Sequence, residues 1–329
     1  MKIAIVKLSS LGDIVHSMVV LQFIKKHYPE SVIDWVIEKR FKGILENNPH
    51  INQIHTVNLN KIKNNKSLKL LFTEVSKARK FGNYDVVIDL QGLIKSAIIT
   101  KFISSRKIVG FDKNSIRERV SSYFYDQKVA IGYEQNTIVR YVKLVSEALS
   151  IKITNDDIIN KEFYLFYKSK FLIPQTPYIV FVVGSTWPSR NYPKEKFTQV
   201  AQAIKKNCIV IWGNEEEKKK AEWMSSESNY IQVMPKLSLD DLKRVIDHAS
   251  LLIGNDTGPS HMSWALNIPS IILFGPTPIE RAFQTPINTV LSSNSKINHY
   301  KLDKNDFSIQ EIKVSDVVKI AKELLGVSL

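Results

Sequence analysis

Lys2-Ile3-Ala4-Ile5-Val6-Lys7-Leu8-Ser9-Ser10-Leu11-Gly12-Asp13-Ile14-Val15-His16 passes from an apolar, β-rich run straight into a helical pattern, with a carboxylate at the change. Almost a chain-length later, Leu251-Leu252-Ile253-Gly254-Asn255-Asp256-Thr257-Gly258-Pro259-Ser260-His261 repeats the plan. Open α/β sheets bind ligands at the carboxyl ends of parallel strands, so the two turns predict two such sheets facing across a cleft that holds the site. A two-substrate enzyme is the first reading.

Outward from these turns, strand and helix patterns alternate without a hairpin meander. Strands are predicted over 2–8, 32–37, 53–58, 85–90 and 106–110, with helices near 14–27, 66–82, 92–103 and 135–149. The second half repeats this with strands near 178–183, 208–212, 230–233, 250–253 and 270–274, and helices near 194–206, 215–226, 238–248 and 258–267. Such alternation implies parallel sheets joined by right-handed crossovers. Between the halves, residues 151–177 lose the alternation and end in Pro174-Gln175-Thr176-Pro177, where proline disfavours helix and central strand alike. The expected division is therefore 1–165 and 166–310. A last helix within 311–329 follows a polar stretch and is expected to cross back onto the first domain.

The 329 residues suit two domains of about 150 residues each. Apolar content of 44% with 24% charged residues excludes disorder. The first apolar run is too short for a signal peptide, and no stretch approaches the ~18 apolar residues of a membrane span, so a cytoplasmic protein is expected. The single cysteine, Cys208, lies in an apolar run and reads as core.

Net charge is +14, and it is lopsided. Residues 1–168 carry 27 basic against 16 acidic side chains, whereas 169–329 carry 19 against 16. Residues 61–119 alone hold 14 basic and 5 acidic groups, among them Lys61, Lys63, Arg117 and Arg119. Such a patch would concentrate an anionic partner at the first domain; a solvated, partnerless surface is the alternative. Nucleic acid is the less suitable anion, because few aromatics are interleaved for base stacking.

The first turn has one glycine, Gly12, and an aspartate at the helix start, so it makes a poor phosphate cradle. Asp13 suits instead a general base that accepts a proton from a hydroxyl, or simply a helix cap. His16 shares its helical face, where it either meets substrate or packs. In the second half, Gly184-Ser185-Thr186-Trp187-Pro188-Ser189-Arg190 leaves a strand with hydroxyls and a guanidinium, a possible diphosphate grip or an ordinary loop. Thr257 and Gly258 open a helix whose amides and dipole favour an anion, and Asp256 is a candidate acceptor for sugar hydroxyls. His261 reads as packing. A carboxylate after Trp212-Gly213 would take ribose hydroxyls. No H-E-x-x-H, C-x-x-C or D-x-D occurs, so a metal site has no support in the sequence and no cofactor is called for.

Together, Ser10-Leu11-Gly12-Asp13-Ile14-Val15-His16, Trp212-Gly213, Asn255-Asp256-Thr257-Gly258-Pro259-Ser260-His261 and Phe274-Gly275-Pro276-Thr277 resemble glycosyltransferase family 9, the ADP-heptose:lipopolysaccharide heptosyltransferases. The resemblance runs end to end. It implies a GT-B architecture of two Rossmann-like domains, with the lipid acceptor on the first and the ADP-sugar on the second. It also implies an inverting, metal-independent transfer of L-glycero-D-manno-heptose to the inner Kdo of Kdo-lipid A, or to a different core acceptor in other members. By position, Asp13 would be the base, and Ser10, Gly12, His16, Lys61, Lys63, Arg117 and Arg119 would lie on the acceptor side. Ser185, Thr186 and Arg190 would meet the donor diphosphate, Glu215 in preference to Glu217 the ribose, and Asp256, Thr257 and Gly258 the heptose and phosphate. One departure is Arg190, where the family often has lysine; another is Tyr192, where it often has tryptophan. The implied setting is a soluble enzyme peripherally held at the inner membrane.

Overall fold

The computed structural model describes residues 1–59 and 68–326, and the expected acceptor residues Lys61 and Lys63 lie outside them. The chain divides into two units, Met1–Phe166 and Tyr167–Leu329.

The first unit is a wholly parallel sheet of β1 (Lys2–Val6), β2 (Val32–Glu38), β3 (Gln53–Val57), β4 (Val86–Asp89), β5 (Ile108–Phe111) and β6 (Gln127–Val129), ordered β3-β2-β1-β4-β5-β6. The second repeats it with β7 (Ile179–Val182), β8 (Cys208–Ile211), β9 (Ile231–Val233), β10 (Leu251–Asn255), β11 (Ser270–Phe274) and β12 (Asn288–Ser292), ordered β9-β8-β7-β10-β11-β12. Both are the doubly wound order of Rossmann folds, in which the chain reverses direction between its first and fourth strands. Those reversal points lie between β1 and β4 and between β7 and β10. The two turns singled out in the sequence leave these strands.

Central strands are buried on both faces and so read as unbroken apolar runs. The sixth strand of each sheet escaped the sequence reading because β6 is three residues long with two of them polar, and β12 is a partly exposed edge. The predicted helix over 14–27 begins earlier and is two segments, Leu11–Met18 and Val20–His27.

Alternation along β1 sends Ala4, Val6 and Leu8 into one core with Val87, Ala97, Ile99 and Tyr125. The opposite face therefore receives Ile3, Ile5 and Lys7. In the second unit Ile179, Phe181 and Val183 pack with Tyr192, Phe197 and Val200, and each buried large side chain is worth roughly 1.5–3 kcal/mol. The last helix, Val314–Leu324, corrects an expectation. Val317 and Ala321, one helical turn apart, join Ile309 and Ile312 in the second unit's core beside the helix Lys194–Ile204, so the segment completes its own domain. Gly275 admits this closure, since a Cβ there would stand 2.7 Å from the Ile309 side chain.

Candidate active site

In the first unit, the helix Leu11–Met18 starts at Ser10, whose amide and hydroxyl donate to Asp13 Oδ2 at 3.1 and 2.7 Å. This capping box realises the cap reading and fixes the half-buried carboxylate at the carboxyl rim of β1. A cap and a base are compatible, because the box sets the orientation a base needs. Gln91, just beyond β4, accepts from the Leu8 and Ser9 amides at 3.1 and 3.0 Å, and Lys95 Nζ donates to Ser9 Oγ at 3.3 Å. The two turns of the reversal point are thereby bound together.

Beneath them lies Lys7, buried, with Nζ donating to the Leu90 carbonyl at 3.2 Å and to Tyr141 Oη at 2.7 Å. Burial pulls its pKa down to about 8, against the opposing pull of Asp13 and Asp89. Asp89 is itself buried, which raises its pKa, although it accepts from the Gln91 amide at 2.8 Å and Tyr125 Oη at 2.9 Å. Ser10 is exposed and Gly12 buried. His16 is 2% exposed, on the buried side of the helix Leu11–Met18. Arg117 and Arg119 are exposed, at the end of the loop after β5 and the start of the 3-10 helix Arg119–Phe124.

In the second unit, the loop after β7 returns Arg190 to the start of the turn after β10. Arg190 Nη2 donates to Asp256 Oδ2 at 2.6 Å and also to the Asp256 carbonyl. Asp256 is 2% exposed; His261 Nε2 lies 2.9 Å from Oδ1, and Thr277 Oγ1 donates to Oδ2 at 2.8 Å. Burial opposes its charge, but Arg190, with His261 and Arg281, overrides that and holds the carboxyl well below the usual range. Both its oxygens have protein partners, and Oδ2 holds the Arg190 guanidinium beside the Thr257 turn.

Thr257 caps the helix Gly258–Ala265, whose first turn includes Pro259, and its first amides are the available anion donors. Ser185 Oγ is turned onto the Trp187 carbonyl at 2.9 Å, and Thr186 is exposed. Buried Ser189 Oγ, Arg190 Nε and Asn255 Nδ2 have no hydrogen-bond partner among the described residues, an unusual density of unpaired polar atoms for two adjoining turns. Two carboxylates after Trp212-Gly213 compete for the ribose. Glu215 is exposed at the start of the helix Glu215–Glu227, whereas Glu217 accepts from the Gly213 amide at 2.7 Å and from Asn214 Nδ2 at 2.8 Å. Its carboxylate also covers Gly184, where a Cβ would stand 2.1 Å from the Glu217 Cδ. Geometry therefore favours Glu217: it is the carboxylate lying over the loop after β7.

Sequence reasoning missed three contributors. Lys7 had a signal, a lone charge ending an apolar strand, whereas Thr277 and the orienting role of His261 had none beyond their motifs. What the parts can do together is divided: one unit holds a carboxylate fit to take a proton, the other an arginine and helix amides fit to hold an anion.

The family model for glycosyltransferase family 9 (heptosyltransferase) matches residues 73–311. A lipopolysaccharide heptosyltransferase 1 from Campylobacter coli is 41% identical over 99% of both chains. Among solved structures, Escherichia coli heptosyltransferase WaaC with ADP superposes with a TM-score of 0.82 at 24% identity, covering 98% of this chain and 100% of that one. WaaC with ADP-2-deoxy-2-fluoro heptose gives 0.80 at 24% identity, covering 98% and 99%. The doubly wound units and these superpositions share the GT-B fold of heptosyltransferases, and the chain belongs to glycosyltransferase family 9.

Proposed function

We propose that this protein is heptosyltransferase I, transferring L-glycero-D-manno-heptose from ADP-heptose to the inner Kdo of Kdo-lipid A in lipopolysaccharide core synthesis. The observation that carries this reading is its end-to-end likeness to the Campylobacter lipopolysaccharide heptosyltransferase 1. The geometry supplies a consistent mechanism. Asp13 takes the proton of the acceptor hydroxyl; the freed oxygen attacks the anomeric carbon of heptose as the bond from that carbon to the diphosphate breaks. A single displacement inverts the configuration. Charge gathering on the departing ADP is met by Arg190 and the amides at the start of the Gly258–Ala265 helix, while Glu217 takes the ribose hydroxyls. No metal or cofactor enters this scheme, and activity should survive EDTA.

The same reading makes the first unit a peripheral visitor to the cytoplasmic face of the inner membrane. Among the described residues no helix is long and apolar enough to cross a membrane. Supporting attachment instead are the excess positive charge of residues 1–168 and the exposed Phe72, Val120 and Tyr123. Phe72 is on the helix Leu68–Ala78, which packs beside Ile94–Phe102; that helix in turn packs beside Arg119–Phe124, close to Arg117 and Arg119. Each such basic group adds about 1 kcal/mol of attraction to an anionic leaflet.

The test is an assay of purified protein with ADP-heptose against Kdo-lipid A and, separately, against its heptosylated product. Turnover of the first is expected, and turnover of only the second would make this a later-acting member of the family.

A further inference from the structure

Just past β1 the chain puts a lysine where the pleat of the strand calls for an apolar residue. Lys7 follows Ile3 and Ile5 on the face opposite the Ala4, Val6 and Leu8 core and is 3% exposed. Its ammonium is anchored on the Leu90 carbonyl and Tyr141 Oη and stands 4.5 Å from the Tyr141 ring centroid. Its own carbonyl accepts from Trp35 Nε1 at 3.3 Å. One residue thus ties β1 to β2, to the end of β4 and to the helix Thr137–Leu149, directly under the turn that carries Asp13. Burying an ammonium is costly, and a methionine would fill such a site without that cost. The charge therefore calls for a use.

The groups around it suggest one. Asp13 faces Lys7 from the helix Leu11–Met18, Asp89 from β4, Arg140 and the Tyr141 phenol from the helix Thr137–Leu149, and Lys95 from the helix Ile94–Phe102. Asp89 is held by Tyr125 and by the Gln91 and Gly92 amides, whereas Asp13 is the carboxylate presented at the rim. We propose that Lys7 is a positioning residue for glycosyl transfer: its buried ammonium stands behind the Asp13 carboxylate and its anchors hold the Asp13 turn against the end of β4. This rests on the reading of Asp13 as the base.

Two pH limbs follow. A cation behind Asp13 favours the carboxylate, so removing it raises the pH below which the base is protonated and silent. Burial has lowered the pKa of Lys7 to about 8, so the ammonium is intact below that pH and is lost above it, giving a falling alkaline limb. Lys7→Met and Tyr141→Phe, each in the full chain, separate these effects. For Lys7→Met we expect kcat to fall at least tenfold and the acid limb of kcat/KM to move up by about one pH unit. ADP affinity should stay within twofold, because the second unit is untouched. Tyr141→Phe removes one anchor of the ammonium, so the alkaline limb should move to lower pH.

A wild-type pH profile for Lys7→Met overturns the proposal, as does an unmoved alkaline limb for Tyr141→Phe. If Lys7→Met fails to fold, Tyr141→Phe decides alone. Asp13→Asn separates this inference from its premise. If that variant stays active, the base assignment itself is wrong; if it is dead while Lys7→Met keeps the native profile, only the role of Lys7 falls.

Discussion

The two reversal points are built on the same strand order and each couples a carboxylate to a cation, but they enclose different shares of the couple: the first buries only the cation, the second both members. In the first unit the cation, Lys7, is interred and Asp13 is half-exposed at the rim. In the second the carboxylate, Asp256, is interred with both oxygens engaged, and Arg190 is laid across it. A carboxylate at the rim, backed by charge, can exchange a proton with an incoming hydroxyl. One enclosed by an arginine, a histidine and a threonine is shut off from an incoming hydroxyl and holds its arginine in place. Burial, rather than residue type, assigns the chemistry.

The comparison breaks most visibly at the proton acceptor. Asp13→Asn should lower kcat by about 10²–10⁴-fold, the usual reach of general base catalysis, while ADP affinity measured by titration calorimetry stays within about twofold. Loss of donor affinity with retained turnover would reverse the roles of the two turns.

Asp256→Asn should act on the fold first. Removing one partner of a buried pair strands the other, at about 3–5 kcal/mol, read as a lower denaturant midpoint. Its pKa is held below the unfolded carboxylate value of about 3.9, so its stabilisation is complete above that pH and is lost as pH falls below it. The wild type should therefore lose more stability than the variant between pH 5 and about 3. Equal slopes would mean that Asp256 carries no net stabilising charge.

Arg190→Ala should weaken donor binding and rate together, by about tenfold or more each, since charge-assisted contacts to phosphate are worth about 1.5–3 kcal/mol. Arg190→Lys should recover part of both, and an unchanged KM and kcat for the alanine variant would remove Arg190 from the site. The smallest effect sharpens the ribose assignment. Glu217→Ala should raise the donor KM about fivefold, and Glu215→Ala should leave it within twofold; the opposite order would restore Glu215.

Much of this arrangement is legible in the residues. Apolar runs such as Ile179-Val180-Phe181-Val182 announce central parallel strands because both faces are buried, and Ser10 with Asp13 announces a helix start. Edge strands β6 and β12 are not legible, since only one residue of each is fully buried and the pattern fades. Nor is the docking of Val314–Leu324, whose apolar stripe declares that it packs but not on what.

Local pattern was enough for the doubly wound class, the family, and the positions of Asp13, Arg190 and Asp256, because strand burial, capping and turn chemistry act over a few neighbouring residues. Folding alone could sort those residues into roles. Asp256 meets Thr277 across 21 positions, Arg190 meets Asp256 across 66 and Lys7 meets Tyr141 across 134. Whether a charge is buried or bare depends on such distant partners, and on that depends whether it moves a proton or holds another group in place.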